Sequence, residues 1–310
     1  PLRRPASQRL FDPAPWLAAQ GAQAHALAEV AALFGALDQR LRSGPPGWRF
    51  RLALREVADL SWWAGDRLGA DRIALWVALR IGSTDEAEQA LARAGWALRR
   101  LSSGPSPDEG IAGFLERQPR PEPDTGALAD LAEVMEEGVV LHPVVAAARL
   151  FHAWRSLGPT GSAEIEAAVL AARHAGTIRR SPGRGALFLP LVQGGPDALQ
   201  GQGLPEARLT AWLRGAERAT LAALLHLDRL EDWRTRAERA TRDLSGRTPP
   251  ALLDMLTAWP HVTAPMAEAE TGASRAAVQR NLALFETRGL VREVTGQGRY
   301  RVWTADLALR

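Results

Sequence analysis

Apolar positions recur along most of this chain at the three-and-four spacing of helices with one buried stripe. From Ala22 to Arg42 the stripe reads Leu27, Val30, Ala31, Phe34, Leu37, Leu41, and Ser43-Gly44-Pro45-Pro46-Gly47 stops it. A second helix is predicted from Trp48 to about Leu68, carrying Phe50, Leu54, Val57 and Trp62. A third starts near Asp71 with Ile73, Leu75, Trp76 and Leu79, and a fourth runs from Asp85 to Leu101. The fourth opens on Ser83-Thr84-Asp85-Glu86, polar caps and an acidic first turn. Residues 102–125 read as a surface loop with one short turn of helix at 111–115, and helical spacing returns at 127–137, 143–157 and 162–175. Residues 179–205 are dense in Gly and Pro. A long amphipathic helix then runs from Pro205 to about Leu244, with Leu209, Trp212, Leu213, Leu221, Leu224, Leu225 and Leu230 assigned to its apolar face. The first twenty residues read as a loosely held arm, and no internal repeat is visible.

Past Ser245-Gly246-Arg247-Thr248-Pro249 the pattern changes, which places a domain boundary there. Short helices are predicted at 250–259 and 264–270, with a tight turn at Thr271-Gly272-Ala273. Ser274 caps a third helix, Arg275 to Arg288, ended by Gly289. Two β-prone runs follow, 290–294 and 299–303, joined by Thr295-Gly296-Gln297-Gly298. Three helices and a hairpin is the order of a winged helix-turn-helix. Val278, Leu282 and Phe285 share the core face of the third helix. Arg275, Gln279 and Arg280 lie opposite, where side chains reach phosphates or base edges in a major groove, and Asn281 falls between the faces. Arg292, Arg299 and Arg301 make the hairpin a basic wing.

Composition changes this picture in one respect. The 310 residues carry 38 basic side chains against 35 acidic ones, and every basic one is Arg. With no Lys, no Cys and one Tyr, almost nothing titrates between His and Arg, so a net charge of +3 carries the isoelectric point to about 10.5. That value is no sign of a strongly basic protein, and only local placement of Arg bears on nucleic acid. Residues 270–303 hold six Arg against Glu270, Glu286 and Glu293, a local excess of +3. The absence of Cys excludes disulfides, thiolate metal sites and cysteine nucleophiles. No run approaches the ~18 apolar residues of a membrane span, and Pro1-Leu2-Arg3-Arg4-Pro5 leads to no signal core. The expectation is a soluble, cytoplasmic protein.

The run Leu290-Val291-Arg292-Glu293-Val294-Thr295-Gly296, with Arg299-Tyr300-Arg301-Val302-Trp303, resembles the winged helix attached to many bacterial Fic-family proteins. Ala251-Leu252-Leu253-Asp254-Met255-Leu256 and Val262-Thr263 fit the start of that module. The helical body is similar to a Fic scaffold, residues 55–65 standing for its N-terminal helix and 142–175 for its two central helices. The likeness is to a group of alphaproteobacterial proteins of unassigned function that join a divergent Fic-like domain to this winged helix. Active Fic proteins transfer AMP, or a related phosphate-containing group, to protein hydroxyls. Their signature is His-Pro-Phe-x-Asp-Gly-Asn-Gly-Arg, in which His is the base, the carboxylate holds magnesium and the final turn cradles phosphates. The corresponding stretch here is Gly158-Pro159-Thr160-Gly161-Ser162-Ala163-Glu164-Ile165-Glu166. It has no His to take the hydroxyl proton, Ser162 in place of the metal carboxylate, and Glu166 near the place of the phosphate-binding Arg. Ala64 replaces the glutamate of the family's inhibitory helix. The resemblance thus implies a scaffold that has lost its catalysis.

Other candidate chemistry is weaker. His142-Pro143 falls at a helix start, where Pro is welcome. His152, His174 and His226 stand singly, without a metal-binding spacing. Ser181-Pro182-Gly183-Arg184-Gly185 lacks the Walker spacing and Lys, and reads as a surface loop like 194–203. Of the eleven Trp, Trp62, Trp63, Trp76, Trp96, Trp154 and Trp212 are placed mostly in the core, with an indole-lined pocket for a planar ligand as a further idea. The expected fold is mainly α. An arm at 1–20 precedes a Fic-like helical bundle at 21–245 and a winged helix-turn-helix with a small β-hairpin at 246–310. The expected function is a non-enzymatic, DNA-binding transcriptional regulator without cofactor or metal. Ser274, Arg275, Gln279, Arg280, Arg292, Arg299 and Arg301 contact double-stranded DNA in this reading. A homodimer is expected, with a small-molecule ligand as a further partner and no membrane contact. The alternatives are a protein–protein interaction module and, third, a nucleotidyltransferase.

Overall fold

Caps and glycines set most element boundaries in the computed structural model of the chain, which describes residues 11–79, 85–116, 124–159, 164–178, 185–296 and 300–308. Residues 1–10 of the expected arm, Thr160 to Ala163, Ser181 to Arg184 and Arg299 lie outside the described residues. The rest of the arm is not loose, since a helix starts at Pro13 and buries Trp16. The protein is mainly α, 73% helical, with thirteen α-helices and one small antiparallel sheet among the described residues. Two compact units emerge, residues 1–43 with 52–223, and residues 44–51 with 224–310.

The first unit holds α1 (Pro13–Ala22), α2 (Ala24–Ser43), α3 (Gly47–Trp63) from Leu52 onward, α4 (Ala70–Leu79), α5 (Asp85–Ser102), α6 (Ile111–Leu115), α7 (Thr125–Glu137), α8 (Pro143–Leu157), α9 (Glu164–Ala175) and α10 (Pro205–Ala240) as far as Ala223. Helix α8 is its axis. Every residue from Val144 to Trp154 is buried, as befits a helix apolar all round and packed on α9, α7 and α1. Its start explains the His-Pro pair. The His142 Nδ1 accepts the Val144 N–H at 3.3 Å, Pro143 occupies the first turn, and burial lowers the imidazole pKa, keeping it a neutral acceptor. Gly158, at φ 60°, closes the helix in the left-handed conformation. Two buried polar side chains on α8 find partners. Arg149 donates to the Val134 carbonyl at 2.7 Å and pairs with Glu137 at 2.6 Å. The His152 Nδ1 faces the Arg208 guanidinium at 2.8 Å and its ring stacks on Trp16. Burial first, then Arg208 and Arg155, pushes His152 down to about 3, so it is neutral and accepts from Arg208.

Some expectations for the helices are corrected. Helix α3 stops at Trp63 and not near Leu68, because Gly65 takes φ 90° and the Ser61 carbonyl accepts from both Asp66 and Arg67 N–H groups. Helix α10 ends at Ala240. Leu221 and Leu225 are 41% and 55% exposed, while Ala216, Ala219, Ala223, Leu227 and Leu230 carry the buried stripe. Small alanines mark that face, so the spacing of the large residues misreads its phase. Trp96, Trp154 and Trp212 are buried, but Trp62 is 58% exposed.

The second unit is built around a winged helix-turn-helix: α11 (Thr248–Ala258), β1 (Val262–Thr263), α12 (Ala264–Thr271), α13 (Arg275–Thr287), β2 (Val291–Glu293) and β3 (Val302–Ala305). The sheet order is β1-β3-β2, antiparallel throughout, with Trp303 opposite Val262 on one side and Glu293 on the other. The expected hairpin is thus β2–β3, joined by a third strand too short for alternation to reveal. Flanked on both sides, β3 is buried at all four residues. Its core includes Leu252, Leu256, Val262, Val278, Leu282, Phe285 and Trp303, and draws in Trp233 and Ala237 from the last turns of α10. The Trp233 Nε1 donates to the Leu290 carbonyl at 2.8 Å. Residues 44–51 serve the other end. The Trp48 Nε1 donates to the Thr257 carbonyl at 3.1 Å, and buried Arg51 donates to Leu256 at 2.8 Å and to Trp259. These are the carbonyls that a helix C-terminus leaves without partners, and a cation there also suits the helix dipole. Gly47 permits the approach, since a Cβ would lie 2.4 Å from the Ala258 oxygen.

Two outcomes follow. Trp233→Ala removes a fully buried indole and its hydrogen bond, and should destabilise the C-terminal unit by about 3–5 kcal/mol in chemical denaturation; an unchanged midpoint contradicts this packing. His152 is neutral when folded but protonates below about pH 6.5 when unfolded, so the unfolded chain binds more protons and stability falls as pH drops from there towards 3. Stability compared between pH 6.5 and 4.5 should therefore decline more in the wild type than in His152→Gln.

Candidate nucleic-acid interface

Helix α13 is positioned from both ends. Its N-cap is Ser274, whose Oγ accepts the Ala277 N–H at 3.3 Å. Ahead of it Gly272, at φ 63°, ends α12 in the left-handed conformation, and the Thr263 hydroxyl caps the start of α12. At the far end Arg288 grips Asp243 with two bonds of 2.7 Å and also donates to the Ala240 carbonyl. This forked pairing ties the end of α13 to the end of α10. Val278, Leu282 and Phe285 are fully buried beneath the helix.

Ser274, Arg275, Gln279 and Arg280 are all exposed on α13 and its cap. Gln279 and Arg280 make no hydrogen bond or ion pair among the described residues. Arg275 is held at 2.9 Å by Glu268 of α12, a bond that raises its pKa. Asn281 donates back to the Ala277 carbonyl at 2.8 Å and is half-buried, so its amide serves the helix.

The wing carries Arg292, exposed on β2, and Arg301 just before β3. Arg301 pairs with Glu286 at 2.7 Å and lies over the Trp303 ring at 4.9 Å, an arrangement that fixes the guanidinium beside α13. The residues just after β2 are held by Glu293, whose carboxylate accepts from the N–H groups of Thr295 at 2.8 Å and Gly296 at 2.9 Å and from the Thr295 hydroxyl. Burial pushes that carboxyl up, but these donors outweigh it and hold it below the ordinary range. Tyr300 escaped the sequence reading as a site residue. It is 79% exposed at φ 57°, a conformation costly for a bulky side chain, so the wing presents an aromatic ring to solvent on a strained backbone.

A capped helix with an exposed Gln/Arg face, tied to a basic wing, is geometry suited to a duplex. Residues 249–305 match a family model described as an HTH DNA binding domain, a span running from α11 through β3. The C-terminal module is a helix-turn-helix DNA-binding domain. No curated protein matches the chain. Among the described residues no group of three His, Asp or Glu could hold a metal ion, and no helix is long and apolar enough to cross a membrane.

Two of the arginines expected to contact DNA, Arg275 and Arg301, already have carboxylate partners. Glu268→Gln and Glu286→Gln should each release an arginine and remove a charge that repels phosphate. Duplex affinity at fixed salt should then tighten by about threefold to tenfold, read by fluorescence anisotropy. Weaker binding would mean that the carboxylates position the arginines for contact.

Proposed function

We propose that this chain is a DNA-binding transcriptional regulator in which α13 enters the major groove and the β2–β3 wing grips the backbone. The exposed face of Gln279 and Arg280, opposite the buried Val278, Leu282 and Phe285 and within the residues that match an HTH DNA binding domain, carries the reading, because side chains of this type reach base edges in a major groove. Ser274 and Arg275 approach the phosphates from the helix start, and Arg292, Arg299 and Arg301 do so from the wing. The regulator acts as a homodimer on an inverted repeat whose half-sites lie about one helical turn apart.

The helical body is a degenerate, non-catalytic Fic-like scaffold used for dimerisation or ligand sensing. Burial of Glu166 on α9, which raises its carboxyl pKa, supports this, since the side chain is turned into the core instead of outward to a phosphate. Arg280→Ala should cost about 1–3 kcal/mol on the preferred sequence and relax base preference at one position. Arg292→Ala should weaken all sequences evenly and reduce the salt slope by about one. A selection from randomised duplexes with each variant reads both effects, and unchanged preference in Arg280→Ala would remove α13 from the groove.

A further inference from the structure

The first unit contains an open cleft of about 460 Å³ between the last turn of α3 and residues 192–196. Asp59, Trp62 and Trp63 form one wall, spaced so that all three fall on one face of the helix. The opposite wall is held in place. The buried Glu56 Oε1 accepts the N–H groups of Leu191 at 2.7 Å and Val192 at 3.1 Å, and Gln193 donates to the Leu52 carbonyl at 3.3 Å. Gly194 and Gly195, at φ 89° and 138°, bring bare backbone to the cleft. Both walls are therefore preformed, and the volume suits a small molecule.

Several features of the cleft favour positive charge. The Asp59 carboxylate is half-buried and makes no hydrogen bond or ion pair among the described residues. Burial pushes its carboxyl up, with Arg55 one turn earlier opposing this. Trp62, exposed despite its size, and Trp63, whose ring also meets Phe151, line the cleft, and indoles are the strongest aromatic partners for a cation. The cleft lies at the negative end of the α3 dipole, and the last turn carries no basic residue. Arg218, near Gly195 on the far wall, is paired with Asp197 at 2.7 Å, which offsets its repulsion. An anion would meet Asp59 and the helix carbonyls, and a neutral ligand would leave the carboxylate without a partner.

We infer that this cleft binds a small organic cation of the alkylammonium type, its charge on Asp59 and its methyl groups between Trp62 and Trp63. This deepens, and rests on, the ligand-sensing role proposed for the helical body, but not on DNA binding. Isothermal titration of the full chain with choline and benzyltrimethylammonium tests it. The control is the uncharged isostere of choline, in which a tert-butyl group replaces the trimethylammonium. At least one cation should bind at a single site, with the isostere at least about tenfold weaker. Asp59→Asn should cost about tenfold in cation affinity, and Trp62→Ala, which removes an exposed side chain and should leave the circular dichroism spectrum unchanged, about fivefold. The inference is overturned by equal binding of the isostere, by indifference of the bound cation to both substitutions, or by no cation binding up to about 10 mM. Duplex anisotropy on the same preparation reads DNA binding separately, so either activity can fail while the other stands.

Discussion

Three side chains outside the 249–305 span hold the DNA-binding domain by its backbone: Trp233 on the Leu290 carbonyl, Trp48 on Thr257, and Arg51 on Leu256 and Trp259. Each donates to an oxygen where a helix or strand ends, and each is buried; the Leu290 oxygen also accepts the Asp306 N–H at 2.9 Å, so the Trp233 bond is the second one it receives. Two elements follow from this arrangement. The end of α11 is fixed, which aims β1 into the sheet beside β3. The segment between α13 and β2 is fixed, which sets where the wing leaves the recognition helix. Arg288, forked onto Asp243, adds the same kind of tie at the surface. A fragment cut at the start of the matched span would lack Trp233 and Ala237 from its core.

Charge is arranged economically on this frame. The chain has no lysine, so every basic contact is a planar guanidinium suited to two-point bonds with carboxylate or phosphate. Arg275 and Arg301 rest on Glu268 and Glu286, while Arg280 has no partner among the described residues. Among the described residues, the positive charge of Arg275 and Arg301 is therefore already paired in the resting domain. Contact with a phosphate must compete with a carboxylate already in place, which discourages indiscriminate attachment to any polyanion and leaves α13 to discriminate between sequences.

Much of the C-terminal module was legible in its residues. Ser274 as a cap, Gly272 and Gly289 as stops, and the Val278, Leu282, Phe285 face all follow from local rules, and the structure has each of them. What escaped depends on distant partners. Strand β1 is two residues long and exists only because Trp303 lies opposite Val262. Trp233 sits in a helix whose polar face reads as solvated, and its hydrogen bond spans 57 residues. The exposure of Leu221 and Leu225 came from a buried stripe written in alanine, which spacing of large residues cannot show. The ion pairs of Arg275 and Arg301 need the packed domain to bring their carboxylates near. In the helical body, Asp59, Trp62 and Trp63 share a helix face by spacing alone, but the wall at 192–196 that makes them a cleft is supplied by Glu56 bonding to backbone 135 residues away.

The most direct test of the account is fluorescence anisotropy of the full chain with random duplexes and duplexes from upstream genomic sequence, across a salt series. Saturable binding is expected, with an affinity whose logarithm falls linearly with the logarithm of salt and a preference for one upstream sequence. Absence of duplex binding even near 50 mM salt would contradict it, and would leave the winged helix as a docking surface for protein.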